Sequence, residues 1–270
     1  MSQEKDVIHS RIWEEVAEPD NPFAAAACYC SGYDVYGGLL GKATWIEYLY
    51  LLFNRERPTP AEAKLLEGLA VAIANPGPRD HSVRAAMSAG VGGSTYASCL
   101  MGALAVGAGH LGGAREVRVA MEYWQECDTR LDSWRENIER LSGDSRAEVW
   151  PDMEHAPGFD PHGVRCATTV RQTLEYLEQQ SIGTALTWLR EHRGELESIA
   201  GHPLAMSGVA AAALVDLGFE PGEGEMLYLL LRLPGAAVHA LEQEQYGWQR
   251  YPFFSNGLVL ENDPGSKNRE

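Results

Sequence analysis

Apolar residues recur at helical spacing along most of the chain. In PTPAEAKLLEGLAVAIAN, the side chains of Leu65, Leu66, Leu69 and Ile73 fall on one stripe. Thr59 stands where an N-cap is needed, Pro60 suits the first helical position, and Glu62 is spaced to complete a capping box. Asn75-Pro76-Gly77 then stops the helix. The preceding ATWIEYLYLLFN is apolar on nearly every face, which predicts a deeply buried helix. RAAMSAGVGGSTYASCLMGALAVGAG is rich in small residues that let backbones approach closely, and it reads as one central packing helix weakened by its glycines.

From about residue 115 to 201 the chain becomes more charged, with helices expected at 115–140, 167–180 and 183–198 around a Pro/Gly/Asp/His loop at 151–163. After Pro203 the apolar helical pattern returns in LAMSGVAAAALVDLGF and, beyond Pro221, in EMLYLLLRLPGAAVHALEQE. No set of alternating strands stands out. The expectation is an all-α fold, with a large helical domain over 21–114 and 201–260 and a smaller one over 115–200. Residues 1–20 and the polar 261–270 read as tails.

Charge narrows the partners. With 38 acidic against 22 basic residues the formal net charge is -16, which argues against nucleic acid or an anionic membrane surface as a partner. No apolar run reaches bilayer-spanning length. Five cysteines behind a polar opening, MSQEKD, with no signal-peptide pattern, predict a reducing, cytoplasmic setting. Cys28-Tyr29-Cys30 lacks the gap and second pair of a zinc site, so buried free thiols are expected. DMEHAPGFDPH gathers Asp152, Glu154, His155, Asp160 and His162, but their irregular spacing argues against a metal centre. GVGGS lacks the lysine and preceding strand of a phosphate loop. Trp124, Trp134, Trp150 and Trp188 read as core and interface rather than as ligand-stacking platforms.

Five stretches, in order and spacing, resemble the citrate synthase and citryl-CoA lyase family: GLLGKATWIEYLYLLFNRERPTPAEAKLLEGLAVAIAN, the central segment ending in GGA, APGFD, HPLAMSGVAAAALVDLGF and LLLRLPGAAVHALEQEQ. The resemblance runs from about residue 32 to 254. It implies a dimer with a large helical domain interrupted by a smaller one. The cleft between the two domains would bind a coenzyme A thioester, as substrate rather than as a permanent cofactor, together with a small carboxylate.

Against the family's pattern the chain departs at each reacting position. The family's histidine before a glycine pair, P-L-H-G-G, meets Leu111 here, with His110 one residue early. Its histidine in P-G-F-G-H meets Pro161, with His162 one residue late. Its aspartate in P-L-N-V-D-G meets Ser207, and the histidine of A-D-H-G meets Pro76. In the mechanism the resemblance implies, that aspartate removes a proton from the thioester's methyl group, one histidine hydrogen-bonds the enolate oxygen and the other polarises the ketone. A general base contributes roughly 10²–10⁴-fold and one oxyanion donor about 2.7–4 kcal/mol. The Ser207 hydroxyl is a far weaker base than a carboxylate, and the Leu111 side chain can neither donate nor accept.

A one-residue shift on a regular helix turns a side chain by about 100°, so His110 points elsewhere unless the glycine pair re-aims it. It reads either as a displaced hydrogen-bond donor or as a polar residue closing a helix. His162 reads as a second polar catalyst or as a solvent-facing loop residue. Ser207 is a hydrogen-bonding group, a nucleophile on a thioester, or a small residue at a helix contact. Arg232 matches the family's carboxylate-gripping arginine, a role that suits a guanidinium, or is a charge at a helix C-terminus. Arg250 resembles, more loosely, an arginine reaching into a partner subunit's site.

Two functions remain open. One is a citrate-synthase-like protein forming or cleaving a carbon–carbon bond with a rearranged residue set. The other is a non-catalytic paralogue retained for assembly, as a homodimer or as a heteromer with a related chain.

Overall fold

Two threonines open the first two helices in the same way. Thr44 accepts from the Glu47 N–H at 3.2 Å while the Glu47 carboxylate accepts from the Thr44 N–H at 2.7 Å, starting α1 (Trp45–Asn54). Thr59 and Glu62 repeat this at 3.2 and 2.6 Å to start α2 (Pro60–Ile73). Each pair satisfies donors that a helix start leaves unpaired. The α2 stripe of Leu65, Leu66, Leu69 and Ile73 is buried as expected. α1 is shallower than its composition predicts: Leu49, Tyr50 and Leu51 are buried but Trp45 is 66% exposed. Its partners, α2 and the turn carrying Leu217 and Phe219, cover one face.

The computed structural model describes residues 9–141 and 155–252. Trp150, Asp152, Glu154 and the 261–270 tail lie outside the described residues. Before α1 the chain forms an antiparallel sheet in the order β1-β2-β3, from β1 (Trp13–Ala17), β2 (Ala25–Cys30) and β3 (Tyr33–Asp34). The sequence reading missed it because AAACYC in β2 offers no alternation of polar and apolar side chains. Cys28 and Cys30 are buried on β2, and all five cysteines are free and buried.

The small-residue segment is two helices, not one. α3 (His81–Val91) ends at Gly92-Gly93, where Gly93 has φ +78, and Thr95 caps α4 (Tyr96–Gly107). The expected helix over 115–140 is likewise α5 (Ala114–Cys127) and α6 (Leu131–Leu141), broken at Asp128 with φ 48. Then follow α7 (Thr168–Gln180), α8 (Ala185–Ala200), α9 (Met206–Asp216) and α10 (Pro221–Tyr246). Asp216, at the end of α9, starts α8 by accepting from the N–H groups of Ala185 at 2.8 Å and Leu186 at 3.0 Å.

The main core joins side chains from α1, α2 and α5 through α10, with α9 buried along Ser207–Leu214. Trp124, Trp134 and Trp188 pack within it, with ring centroids 4.9 to 6.1 Å apart. Among the described residues no helix is long and apolar enough to cross a membrane. A second cluster, Ala86, Cys99, Ala103, Ala236 and Ala240, joins α3, α4 and α10 through small residues.

That close approach is testable. A Cβ added at Gly90 would lie 2.7 Å from the Ala240 carbonyl oxygen, which belongs to a backbone and cannot swing aside. Gly90→Ala is expected to lower stability by about 1–3 kcal/mol, measured by urea denaturation. Gly102→Ala, whose Cβ meets nothing within 4 Å, is expected to be neutral or to stabilise by up to about 1 kcal/mol through helix propensity.

Candidate functional site

Three chain segments converge beside the start of α5. The first is the turn between α4 and α5. Gly112 has φ +65, and a Cβ at Gly113 would lie 2.2 Å from the Gly109 carbonyl oxygen, so the turn closes only around glycine. The second is the loop through Gly158, whose φ is +87 and whose Cβ position is 2.8 Å from the Gly208 Cα. This loop is pinned to the chain ahead of α9: Ala205 N–H donates to the Gly158 oxygen at 2.9 Å, and Asp160 N–H donates to the Pro203 oxygen at 2.8 Å. The third is α9 itself, through Ser207.

Glu116, in the first turn of α5, ties the three together with its side chain only 1% exposed. Its Oε1 accepts from the Gly158 N–H at 2.9 Å and from the Ser207 hydroxyl at 2.8 Å, and its Oε2 accepts from the Gly112 N–H. His155 Nε2 lies 3.8 Å from Oε1, and among the described residues neither ring nitrogen of this buried histidine has a hydrogen-bond partner. A buried carboxylate is costly unless paired and hydrogen-bonded, and here donors from all three segments supply the pairing.

Arg232 comes from the middle of α10, so it is not a charge at a helix C-terminus. The helix continues through Pro234, and the Gly235 N–H donates to the Ala74 carbonyl at 2.8 Å. Its guanidinium is already engaged. Nη1 donates to the Gly112 carbonyl at 3.1 Å, Nη2 pairs with Asp80, and the group lies 4.8 Å over the Tyr228 ring. Asp80 also caps α3 by accepting from the Ser82 N–H at 2.9 Å. Burial pushes the Tyr228 phenol above its ordinary range, keeping it a neutral donor, 3.4 Å from the Gly112 oxygen.

These elements enclose a cavity of about 550 Å³. His162, Ser207 and Arg232 line it together, as do Leu111 and Pro161 at the two shifted positions. His110 does not line it and sits exposed in the turn; Arg250 lies in a short 3-10 turn, Trp248–Arg250, also exposed and off the cavity. Arg79, His81 and Arg165 add positive or protonatable side chains to the wall. Arg165 also lines a second groove of about 590 Å³ with Arg171, Arg193 and His202. Arg193 is paired with Glu197 at 2.8 Å, and the start of α7 borders the groove at Thr168 without a side-chain cap.

Sequence reasoning overlooked Glu116. Its signal was a carboxylate in register with Ala120 and Trp124 on the buried face of an amphipathic helix. Removing it would leave the N–H groups of Gly112 and Gly158 and the Ser207 hydroxyl without their acceptor, at about 1–3 kcal/mol for each buried group. Glu116→Ala is therefore expected to lower unfolding free energy by about 3 kcal/mol or more. Urea denaturation of Glu116→Ala against the half-exposed control Glu122→Ala checks this.

No protein-family model and no curated protein matches the sequence. Solved structures do. Citryl-CoA lyase from Hydrogenobacter thermophilus superposes with a TM-score of 0.71 at 19% identity, over 96% of this chain and 96% of that one. ATP citrate lyase from Methanothrix soehngenii, solved with citrate and coenzyme A, gives 0.73 at 15% identity, over 99% of this chain and 44% of that one. Citrate synthase from the thermophilic archaeon Thermoplasma acidophilum, in a ternary complex with carboxymethyl coenzyme A and oxaloacetate, gives 0.55 at 16% identity, over 83% of this chain and 60% of that one. The chain has the helical fold shared by these proteins, as the sequence resemblance implied.

Proposed function

We propose that the chain binds a coenzyme A thioester and a small carboxylate in the cavity at Ser207 and Arg232, and forms or cleaves a carbon–carbon bond there with a rearranged residue set. The observation that carries this reading is Arg165, which lines both the cavity and the neighbouring groove. A thioester end in the cavity can thus belong to a molecule whose phosphates lie in the groove. Arg171 and His202 and the uncapped start of α7 suit phosphate oxygens there. The likeness to proteins solved with coenzyme A and citrate supports the choice of ligands.

The candidate residues take unequal roles. His162, in the cavity wall, serves as a second polar catalyst. Arg232 contributes positive charge and holds the Gly112 turn, and its grip on a ligand carboxylate requires that ligand to displace Asp80 or share the guanidinium with it. His110 enters the chemistry only if the turn rearranges on binding. Arg250 is free of its own chain's cavity and is assigned to the site of a second subunit. Exposed Tyr96, Met101, Val238 and Leu241 on α4 and α10 support a homodimer.

A second reading, a related subunit without turnover, is favoured by one observation: positions 111, 161 and 207 of the wall carry an alkyl group, a proline and a hydroxyl bound to Glu116. Purified protein incubated with citryl-CoA, with oxaloacetate and acetyl-CoA release followed, separates the two. Turnover above the uncatalysed rate establishes the enzyme, and no turnover together with retained coenzyme A binding establishes the second reading. In either case Arg165→Ala is expected to weaken coenzyme A binding about tenfold or more, the scale of a lost charge-assisted hydrogen bond. Unchanged affinity by calorimetry would remove the cavity-and-groove reading.

A further inference from the structure

We infer that the pocket between the turn after β3 and the start of α1 binds a zwitterionic ligand, an α-amino acid with an apolar side chain. The pocket shares no lining residue with the cavity at Ser207 or with the groove beside it, so its occupancy is separate from any chemistry there.

Its volume is about 250 Å³, below the about 300–1,000 Å³ of sites that take drug-sized molecules. The ligand is therefore small. Half-buried Leu39, Ala43 and Tyr48 give the pocket an apolar wall. Four charged side chains stand around that wall: Asp34 and Glu47, both half-buried, and Lys42 and Arg57, both exposed. Among the described residues none of the four takes part in an ion pair.

Each carboxylate is fixed through one oxygen. Asp34 Oδ1 accepts from the Gly37 N–H at 2.9 Å, and Glu47 Oε2 accepts from the Thr44 N–H at 2.7 Å. The second oxygens, Asp34 Oδ2 and Glu47 Oε1, receive no donor among the described residues. Hydrogen bonds to Thr44 and, to a smaller extent, the charge of Arg57 hold the Glu47 carboxyl below its ordinary range. Arg57 thus acts on Glu47 without pairing with it. An ammonium and a carboxylate joined through one carbon suit such a gap, the ammonium on Glu47 and the carboxylate toward Arg57.

Singly charged ligands fit less well. A carboxylate alone meets Asp34 and Glu47, and an amine alone meets Lys42 and Arg57, each with like-charge repulsion. A zwitterion offers both pairs their opposite charge, and an apolar side chain takes the wall of Leu39, Ala43 and Tyr48 out of water.

Calorimetric titration of the full chain with leucine, 4-methylpentanoate and 3-methylbutylamine tests this, because the two analogues keep the branched chain and lack the ammonium or the carboxylate. Leucine is expected to bind at least about tenfold more tightly than either, the scale of a lost charge-assisted hydrogen bond. Glycine, without the side chain, is expected to bind about tenfold or more weakly than leucine. Arg57→Gln, and Glu47→Gln, which keeps a residue able to complete the capping box, should each weaken leucine binding about threefold or more. Either analogue or glycine binding as tightly as leucine, an unchanged leucine affinity in Arg57→Gln, or no leucine binding at all overturns the inference. Arg57 is exposed, so its variant is decisive even if Glu47→Gln does not fold.

Discussion

The arrangement of the cavity depends on one buried carboxylate. Glu116 accepts from the turn after α4, from the Gly158 loop and from α9, three segments that come from separate parts of the chain. Placing an ionisable group where it is 1% exposed is unfavourable until its hydrogen bonds are complete. The three segments are therefore held in place by one shared acceptor. Hydrophobic packing brings α5 and α9 into contact, but packing is not directional, and the carboxylate supplies the direction. Among the described residues His155 has no hydrogen bond to either ring nitrogen, so Glu116 is satisfied by backbone and hydroxyl donors rather than by this histidine.

A second anchor sets the charge inside the cavity. The chain is acidic as a whole, with a net charge of -16, yet the cavity wall carries Arg79, Arg165 and Arg232 beside His81 and His162. Arg232 is neutralised at close range by Asp80, and that carboxylate also caps α3. The wall nearest α10 is thus charge-balanced. The side bearing Arg79, Arg165 and His162 is exposed, and Asp160 lines the cavity beside them.

What was legible in the sequence followed the strength of the local signal. α2 was readable from its box, its proline and its stripe because all three agree. The burial of Trp124, Trp134 and Trp188 and the return of helices after Pro203 were legible for the same reason. The break in the small-residue segment was visible as Gly92-Gly93 but outweighed by helical composition; Gly93 at φ +78 and the Thr95 cap decide it. The β-sheet escaped because strand pairing, not side-chain alternation, defines AAACYC. At the site, Leu111, His162, Ser207 and Arg232 were located by their motifs and do share one cavity. The commitments of Arg232 to Asp80 and of Ser207 to Glu116 were not legible, since each partner lies 91 or more residues away.

The departures from the family's pattern are unequal in physical terms. Leu111, Pro161 and His162 sit on segments whose positions are set by backbone groups: the Gly112 and Gly158 N–H donors, the Ala205 N–H to the Gly158 oxygen, and the Asp160 N–H to the Pro203 oxygen. Their side chains can differ without disturbing those bonds, so the wall's chemistry at these positions is separable from its shape. Ser207 is different, because its side chain is one of the donors that satisfies Glu116. A carboxylate at that position would face Glu116 Oε1 across a hydrogen-bond distance, and two like charges so close cannot both remain ionised. The buried glutamate and a neutral donor at 207 therefore require each other, and this coupling makes the serine a consequence of how the cavity is held together.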